Sequence, residues 1–96
     1  MLSEKQVEAR LREKVKAAGG LALKFVSPGF TGVPDRLVFM RGGRICLVEL
    51  KAPGKKLTKL QEKVRDRFKE LGFKYHVIDT YEAVEDFIKE VSNIER

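Results

Sequence analysis

Apolar residues recur at helical spacing in three stretches of the chain and at strand spacing in four, with glycine, proline and capping residues between them. Val7, Leu11, Val15 and Ala18 fall on one stripe of a helix that opens at Ser3-Glu4-Lys5-Gln6, a capping-box pattern, and stops at Gly19-Gly20. Leu21 to Val26 is short, apolar and bounded by those glycines and by Ser27-Pro28-Gly29, which predicts a strand and then a loop running to Pro34. Arg36 to Met40 and Arg44 to Lys51 are strand-like runs flanking Gly42-Gly43, a pair that tolerates the positive φ of a tight hairpin. After Ala52-Pro53-Gly54, Thr58 with Gln61 makes a second capping box, and Leu60, Val64, Phe68 and Leu71 form the stripe of a helix ending before Gly72. Tyr75 to Ile78 predicts a fourth strand, and Thr80 caps a last helix with the stripe Val84, Phe87, Ile88 and Val91. The order is helix, three strands, helix, strand, helix, without repeat or linker. It predicts a single α/β domain over residues 1–96.

One strand breaks its own pattern. Side chains alternate along Arg44 to Lys51, so Ile45, Leu47, Glu49 and Lys51 share one face and Cys46, Val48 and Leu50 the other. A carboxylate among apolar strand residues is costly unless it is paired or binds a cation. Glu49 with Lys51 fits a strand-end ion pair as well as a catalytic pair. A second acid adds weight to chemistry: Pro34-Asp35 begins the preceding strand, and the hairpin returns that end beside Glu49 and Lys51. Two carboxylates and a lysine at one sheet end suit phosphodiester hydrolysis, which needs hard oxygen ligands for Mg²⁺, a metal-activated water and a cation near the phosphate. Register decides whether they meet. A two-residue turn pairs Arg36 with Glu49 and leaves Asp35 opposite Leu50 on the wrong face, whereas a three-residue loop, a bulge or a break after Pro34 re-aims it.

Composition narrows the partners. Twenty Lys and Arg against fourteen Asp and Glu give +6 and favour a polyanion. Residues 1–50 hold nine basic and five acidic residues, 51–74 nine and three, 75–96 two and six, so the net charges are +4, +6 and −4. The excess peaks in KAPGKKLTKLQEKVRDRFK, which fits a solvated helix face or a nucleic-acid surface. With one cysteine, Cys46, and one histidine, His76, in-chain disulfides, multi-cysteine zinc sets and two-histidine metal sites are excluded. Cys46 reads as core and His76 as an ordinary strand residue. No apolar run approaches the roughly 20 residues that span a bilayer, and the charged start lacks a signal-peptide core. A soluble, intracellular protein is expected, with a core small enough that subunit association would help. Lys24 points to solvent or to phosphate. Phe25 and Phe39 suit core packing, while Phe30 lies in the loop between Pro28 and Pro34 and could touch DNA.

GVPDRLVFMRGGRICLVELKAP resembles the PD-(D/E)XK nuclease signature, with Pro34-Asp35 and then Glu49-Leu50-Lys51 after a glycine turn. Adding Gly19-Gly20, Gly32-Val33-Pro34-Asp35-Arg36, Val48 to Pro53, Leu60-Gln61 and Leu71-Gly72, nearly the whole chain resembles the stand-alone virus-type replication-repair nuclease (VRR-NUC) family. The resemblance implies a restriction-endonuclease-like core of order αβββαβα, a mixed central sheet flanked by helices. It implies that Asp35, Glu49 and the Leu50 carbonyl hold Mg²⁺ or Mn²⁺, that Lys51 positions or activates water, and that Gln61 supports the site. A first-helix glutamate is also implied, for which Glu8 is the choice over Glu4. The Val-Arg-Arg of other members is replaced here by Val77-Ile78-Asp79-Thr80. Stand-alone members are similar to Holliday-junction resolvases, which implies a homodimeric endonuclease on branched DNA, in the cytoplasm of a bacterial or phage-infected host cell. Lys24, Lys55, Lys56, Lys59 and Lys63 are the expected DNA contacts. A nicking or restriction-like nuclease on ordinary duplex, or a non-catalytic DNA-binding module, fits the same residues.

Overall fold

The computed structural model describes residues 1–92. Helix α1 (Glu4–Ala17) is followed by strands β1 (Leu21–Lys24), β2 (Arg36–Met40) and β3 (Arg44–Leu50), helix α2 (Lys59–Glu70), strand β4 (Lys74–Ile78) and helix α3 (Tyr81–Ser92). Both predicted capping boxes form: Ser3 and Gln6 exchange side-chain and backbone bonds at α1, as do Thr58 and Gln61 at α2. Thr80 Oγ1 accepts from the Ala83 amide at the start of α3. β1 is shorter than the run Leu21 to Val26 predicts. Its pairing ends after Phe25, whose ring turns to pack edge-on against Phe68 of α2, 6.1 Å between centroids.

The strands lie in the order β1-β2-β3-β4, antiparallel up to β3 and parallel between β3 and β4, with α2 as the crossover. Met40 pairs with Arg44, so the hairpin loop has three residues, Arg41-Gly42-Gly43, and not two. Gly42 and Gly43 both adopt positive φ, 83° and 72°, which a β-branched residue would resist. Arg44 braces the loop through Nε to the Arg41 carbonyl. The register that follows is Arg36 opposite Val48, and every residue of the two strands keeps the face this sets.

That register divides the sheet. Val38, Met40, Cys46, Val48 and Leu50 face α1 and α3, where Val7, Leu11, Val15, Val84, Phe87 and Val91 close the core. Full burial of each such Val or Leu contributes about 1.5–3 kcal/mol. Gly20 belongs to this packing, since a Cβ there would stand 2.7 Å from the Phe39 carbonyl oxygen. Arg10 and Lys14 of α1 reach Glu85 of α3 at 3.8 and 3.5 Å and tie the two helices. The opposite face carries Leu37, Phe39, Leu47, Glu49 and Tyr75 toward α2, which covers only part of it. Leu60 and Leu71, expected in the α2 stripe, are exposed because Val64 and Phe68 between them make the sheet contact; Leu60 instead overlies Gly32 in the loop before β2.

Candidate active site

Glu49 is the one buried charged side chain among the described residues, 4% exposed near the end of an apolar strand. Burial of a carboxylate requires compensation, and the neighbours supply half of it. Its Oε2 accepts a hydrogen bond from Gln61 Nε2 at 3.0 Å and lies 3.5 Å from Lys51 Nζ. Its Oε1 is buried without a partner. Burial, then the nearby Asp35 charge, push the Glu49 carboxyl up to about 7, against the opposing pull of Lys51. The group therefore gains or loses its proton close to neutral pH.

Asp35 arrives by register. Continuing the β2–β3 pairing one step beyond Arg36 and Val48 sets Asp35 opposite Glu49, on the same face of the sheet. Pro34, which has no N–H to donate, precedes it and is itself buried. Asp35 is anchored at both ends: its carbonyl accepts from the Phe25 amide and its Oδ2 accepts from the Leu50 amide, each at 2.9 Å. The three-residue hairpin loop thus removes the mismatch that a two-residue turn would cause.

Gln61 performs two tasks. Its Oε1 accepts from the Thr58 amide at 3.0 Å to complete the α2 cap, while its Nε2 holds Glu49. The side chain is fixed by the helix start, so the Glu49 oxygen it holds is fixed too. Lys51 follows β3 directly; its amide bonds the Ile78 carbonyl, and its Nζ turns back to Glu49.

Other residues singled out in the sequence lie apart from this group. Glu8 is taken by Arg36, whose Nε and Nη2 each stand 2.9 Å from Glu8 Oε2, while Nη1 donates to the Ala22 carbonyl. Arg36 shares the α1 side of the sheet with Val38, so Glu8 is held on the face opposite Asp35 and Glu49. Lys24, Lys55, Lys56, Lys59 and Lys63 are all exposed and have no ion-pair partner among the described residues. Four of them surround the loop and helix start just after β3. Phe30 is exposed in the loop packed against Leu60 and Val64. Cys46 is buried in the core, and His76, on the α3 face, stacks edge-on against Phe87 with 4.8 Å between centroids. Tyr75, which the parallel pairing places beside Leu47 on the face of Glu49, carries no motif signal, while Arg36, inside the Gly32 to Arg36 stretch, clamps α1 to β1 and β2, a role that stretch does not indicate.

The donor set suits a hard cation. Two carboxylates stand side by side, one with a buried partnerless oxygen, next to the end of β3 where the Leu50 carbonyl lies. Mg²⁺ commonly takes one or two carboxylates and keeps water for its remaining positions. Among the described residues no three His, Cys, Asp or Glu side chains group together for a metal, so an all-protein cage is not built here.

The family model described as the VRR-NUC domain matches residues 2–81, which include every element except most of α3. Over 80 residues, 83% of this chain and 86% of the relative, the sequence is 45% identical to "Putative nuclease p44" of Acyrthosiphon pisum secondary endosymbiont phage 1. A solved structure described as a VRR_NUC domain superposes with a TM-score of 0.84 at 31% identity, covering 90% of this chain and 94% of that one. Sequence model, relative and solved fold coincide on the stretch holding Pro34-Asp35 and Glu49-Leu50-Lys51, and the chain belongs to the VRR-NUC family of nuclease domains.

Proposed function

We propose that the chain, as a single nuclease domain over residues 1–96, is a Mg²⁺- or Mn²⁺-dependent endonuclease that hydrolyses phosphodiesters in branched DNA as a homodimer, in the manner of a Holliday-junction resolvase. The observation that carries this reading is the meeting of Asp35 and Glu49 on one sheet face, with Lys51 and Gln61 on one Glu49 oxygen and the other left without a partner. A bound divalent ion lowers the pKa of its water and neutralises charge on the phosphate. Asp35, Glu49 and the Leu50 carbonyl are the groups that would hold it. The chain's own contribution is placement: the Leu50 amide orients Asp35, Gln61 orients Glu49, and Lys51 keeps a cation beside them.

Two surface features support a branched substrate bound by a pair of chains. The exposed lysines at 55, 56, 59 and 63 lie on the loop after β3 and the start of the helix that carries Gln61, while Lys24 pairs with Arg36 at the end of β1. α2 leaves Leu21, Leu23, Ile45 and Phe73 exposed around an apolar cavity of about 170 Å³ lined by Phe25, Leu37, Phe39, Leu47 and Phe68. An uncovered apolar face of this kind suits a second copy. A working place in the cytoplasm of a bacterial or phage-infected host cell accords with both; no described helix is long and apolar enough to cross a membrane.

The test incubates the protein with a four-way junction, a flap and a linear duplex in Mg²⁺, Mn²⁺ or EDTA, with Asp35→Asn as the control. Metal-dependent cleavage of the junction before the duplex is expected. Cleavage of duplex alone would favour a nicking or restriction-like enzyme, and binding without cleavage in any metal would leave a DNA-binding module.

A further inference from the structure

Tyr75 presents a second buried group without a partner on the face that holds Glu49. Its hydroxyl is enclosed and makes no hydrogen bond, and Glu49 Oε1 is in the same position. The two belong to adjacent strands: the parallel ladder pairs Tyr75 with Leu47 and Val77 with Glu49, so Tyr75 stands one step along the same face. A phenol is a hydrogen-bond donor and a carboxylate oxygen is an acceptor with room for two partners. Buried polar atoms left unmet are rare in folded proteins and call for an explanation. Two complementary ones beside the same site share one.

We propose that Tyr75 is a positioning residue for Glu49, its hydroxyl donating a hydrogen bond to the Oε1 side of the carboxylate when that carboxylate holds a divalent cation. The inference rests on the reading of Asp35 and Glu49 as metal ligands. Gln61 fixes one oxygen of Glu49 and leaves the carboxylate free to pivot about that bond; a donor on the opposite side removes the remaining freedom. Ligating carboxylates are in general held by such outer partners. The surroundings keep the phenol in its donor form, because burial and the charges of Glu49 and Asp35 push its pKa up while Arg65 on α2 opposes them only in part. Gln61 comes from α2 and Tyr75 from β4, so the carboxylate would be held between the crossover helix and the strand it leads to. The ring of Tyr75 serves packing, and the hydroxyl serves the site.

Tyr75→Phe separates the two roles, since it keeps the ring and deletes one oxygen. Mn²⁺ affinity, measured by calorimetry on the protein without DNA, should fall about 10–100-fold, the range associated with losing an outer partner of a metal ligand. The cleavage kcat should fall by a similar factor while KM for DNA stays constant, and the melting midpoint in EDTA should hold or rise. A second measurement needs no substitution of the hydroxyl: with 3-fluorotyrosine at both of the chain's tyrosines, the ¹⁹F resonance of Tyr75 should move on addition of Mg²⁺ while that of Tyr81, which lies under Arg10 on α3, stays in place. Wild-type Mn²⁺ affinity and kcat in Tyr75→Phe, or a Tyr75 resonance indifferent to Mg²⁺, would overturn the assignment of Tyr75 alone. A wild-type protein that neither binds Mn²⁺ nor cleaves any DNA would overturn the metal site first and this inference with it.

Discussion

Glu49 joins burial to charge in a way that makes its cost measurable. Its folded pKa of about 7 lies above the ordinary 4.5, so the folded chain holds a proton that the unfolded chain has released between those values. The sign follows from linkage: stability tied to this group is full below pH 4.5 and is lost as pH rises through about 7, on the order of 3 kcal/mol across the window. Urea unfolding in EDTA should show wild type weakening from pH 5 to pH 8 and Glu49→Gln nearly level, with the variant the more stable at pH 8. An equal slope in both proteins would place the titrating group elsewhere. The same burial makes Lys51 consequential, because its ammonium stands 3.5 Å from the carboxylate and is itself mostly enclosed. Lys51→Ala should lower kcat by roughly 10² or more with little change in DNA affinity, as expected when a positioned cation is removed from a developing charge. Turnover at the wild-type rate would reduce Lys51 to a strand-end ion pair.

At the scale of elements, the site is assembled by three junctions. The hairpin loop sets which residue faces Glu49, the β3 end sets Lys51, and the α2 cap sets Gln61. The cap is the easiest to separate from the chemistry. Glu serves as well as Gln at the third helical position of a capping box, so Gln61→Glu should preserve α2 and cost little stability. It would also replace the Nε2 donor with a carboxylate oxygen against Glu49, which should raise the Glu49 pKa further and depress cleavage at pH 7 more than at pH 9. Thr58→Ala is the complementary change: it removes the hydroxyl that caps the Gln61 amide, costs about 1 kcal/mol, and leaves the Gln61 to Glu49 bond available. Circular dichroism melts paired with cleavage rates would resolve the two. Gln61→Glu cleaving normally at pH 7 would show that the cap is the residue's whole task.

For the molecule as a whole, the charge asymmetry matches the layering. The acidic α3 packs on α1, on the side of the sheet away from Gln61 and α2, while the exposed lysines of residues 55–63 lie on the loop after β3 and the start of α2. A homodimer with both sites toward one DNA surface should sediment above 11.0 kDa at micromolar concentration. Its DNA affinity should fall steeply with salt, with a log-log slope approaching about −0.9 per phosphate contacted. Replacing Lys55, Lys56, Lys59 and Lys63 with Gln should flatten that slope and leave the chemistry intact. A monomer that binds DNA equally at low and high salt would refute both parts.

Local sequence determined the elements and most of the core, because capping, turn and periodicity signals act over a few residues. Ser3-Gln6 and Thr58-Gln61 form their predicted boxes, and Val7, Leu11, Val15, Val84, Phe87 and Val91 meet as their stripes require. The pairing of an acid with Lys51 on an apolar strand was likewise legible in the alternation along β3. Where Asp35 would point was not, since a two- and a three-residue turn at Gly42-Gly43 are close in local cost and opposite in outcome. Only the assembled sheet, with Val38 and Val48 driven to the same core, fixes the three-residue loop and sets Asp35 across from Glu49. Tertiary structure also decided what no local signal held: the capture of Glu8 by Arg36, the second bond of Gln61, and the approach of Tyr75 to the site through a parallel partner 28 residues away in sequence, Leu47. A contact between strands far apart in the chain depends on how the whole core packs, and the residues on either side of it carry no trace of that packing.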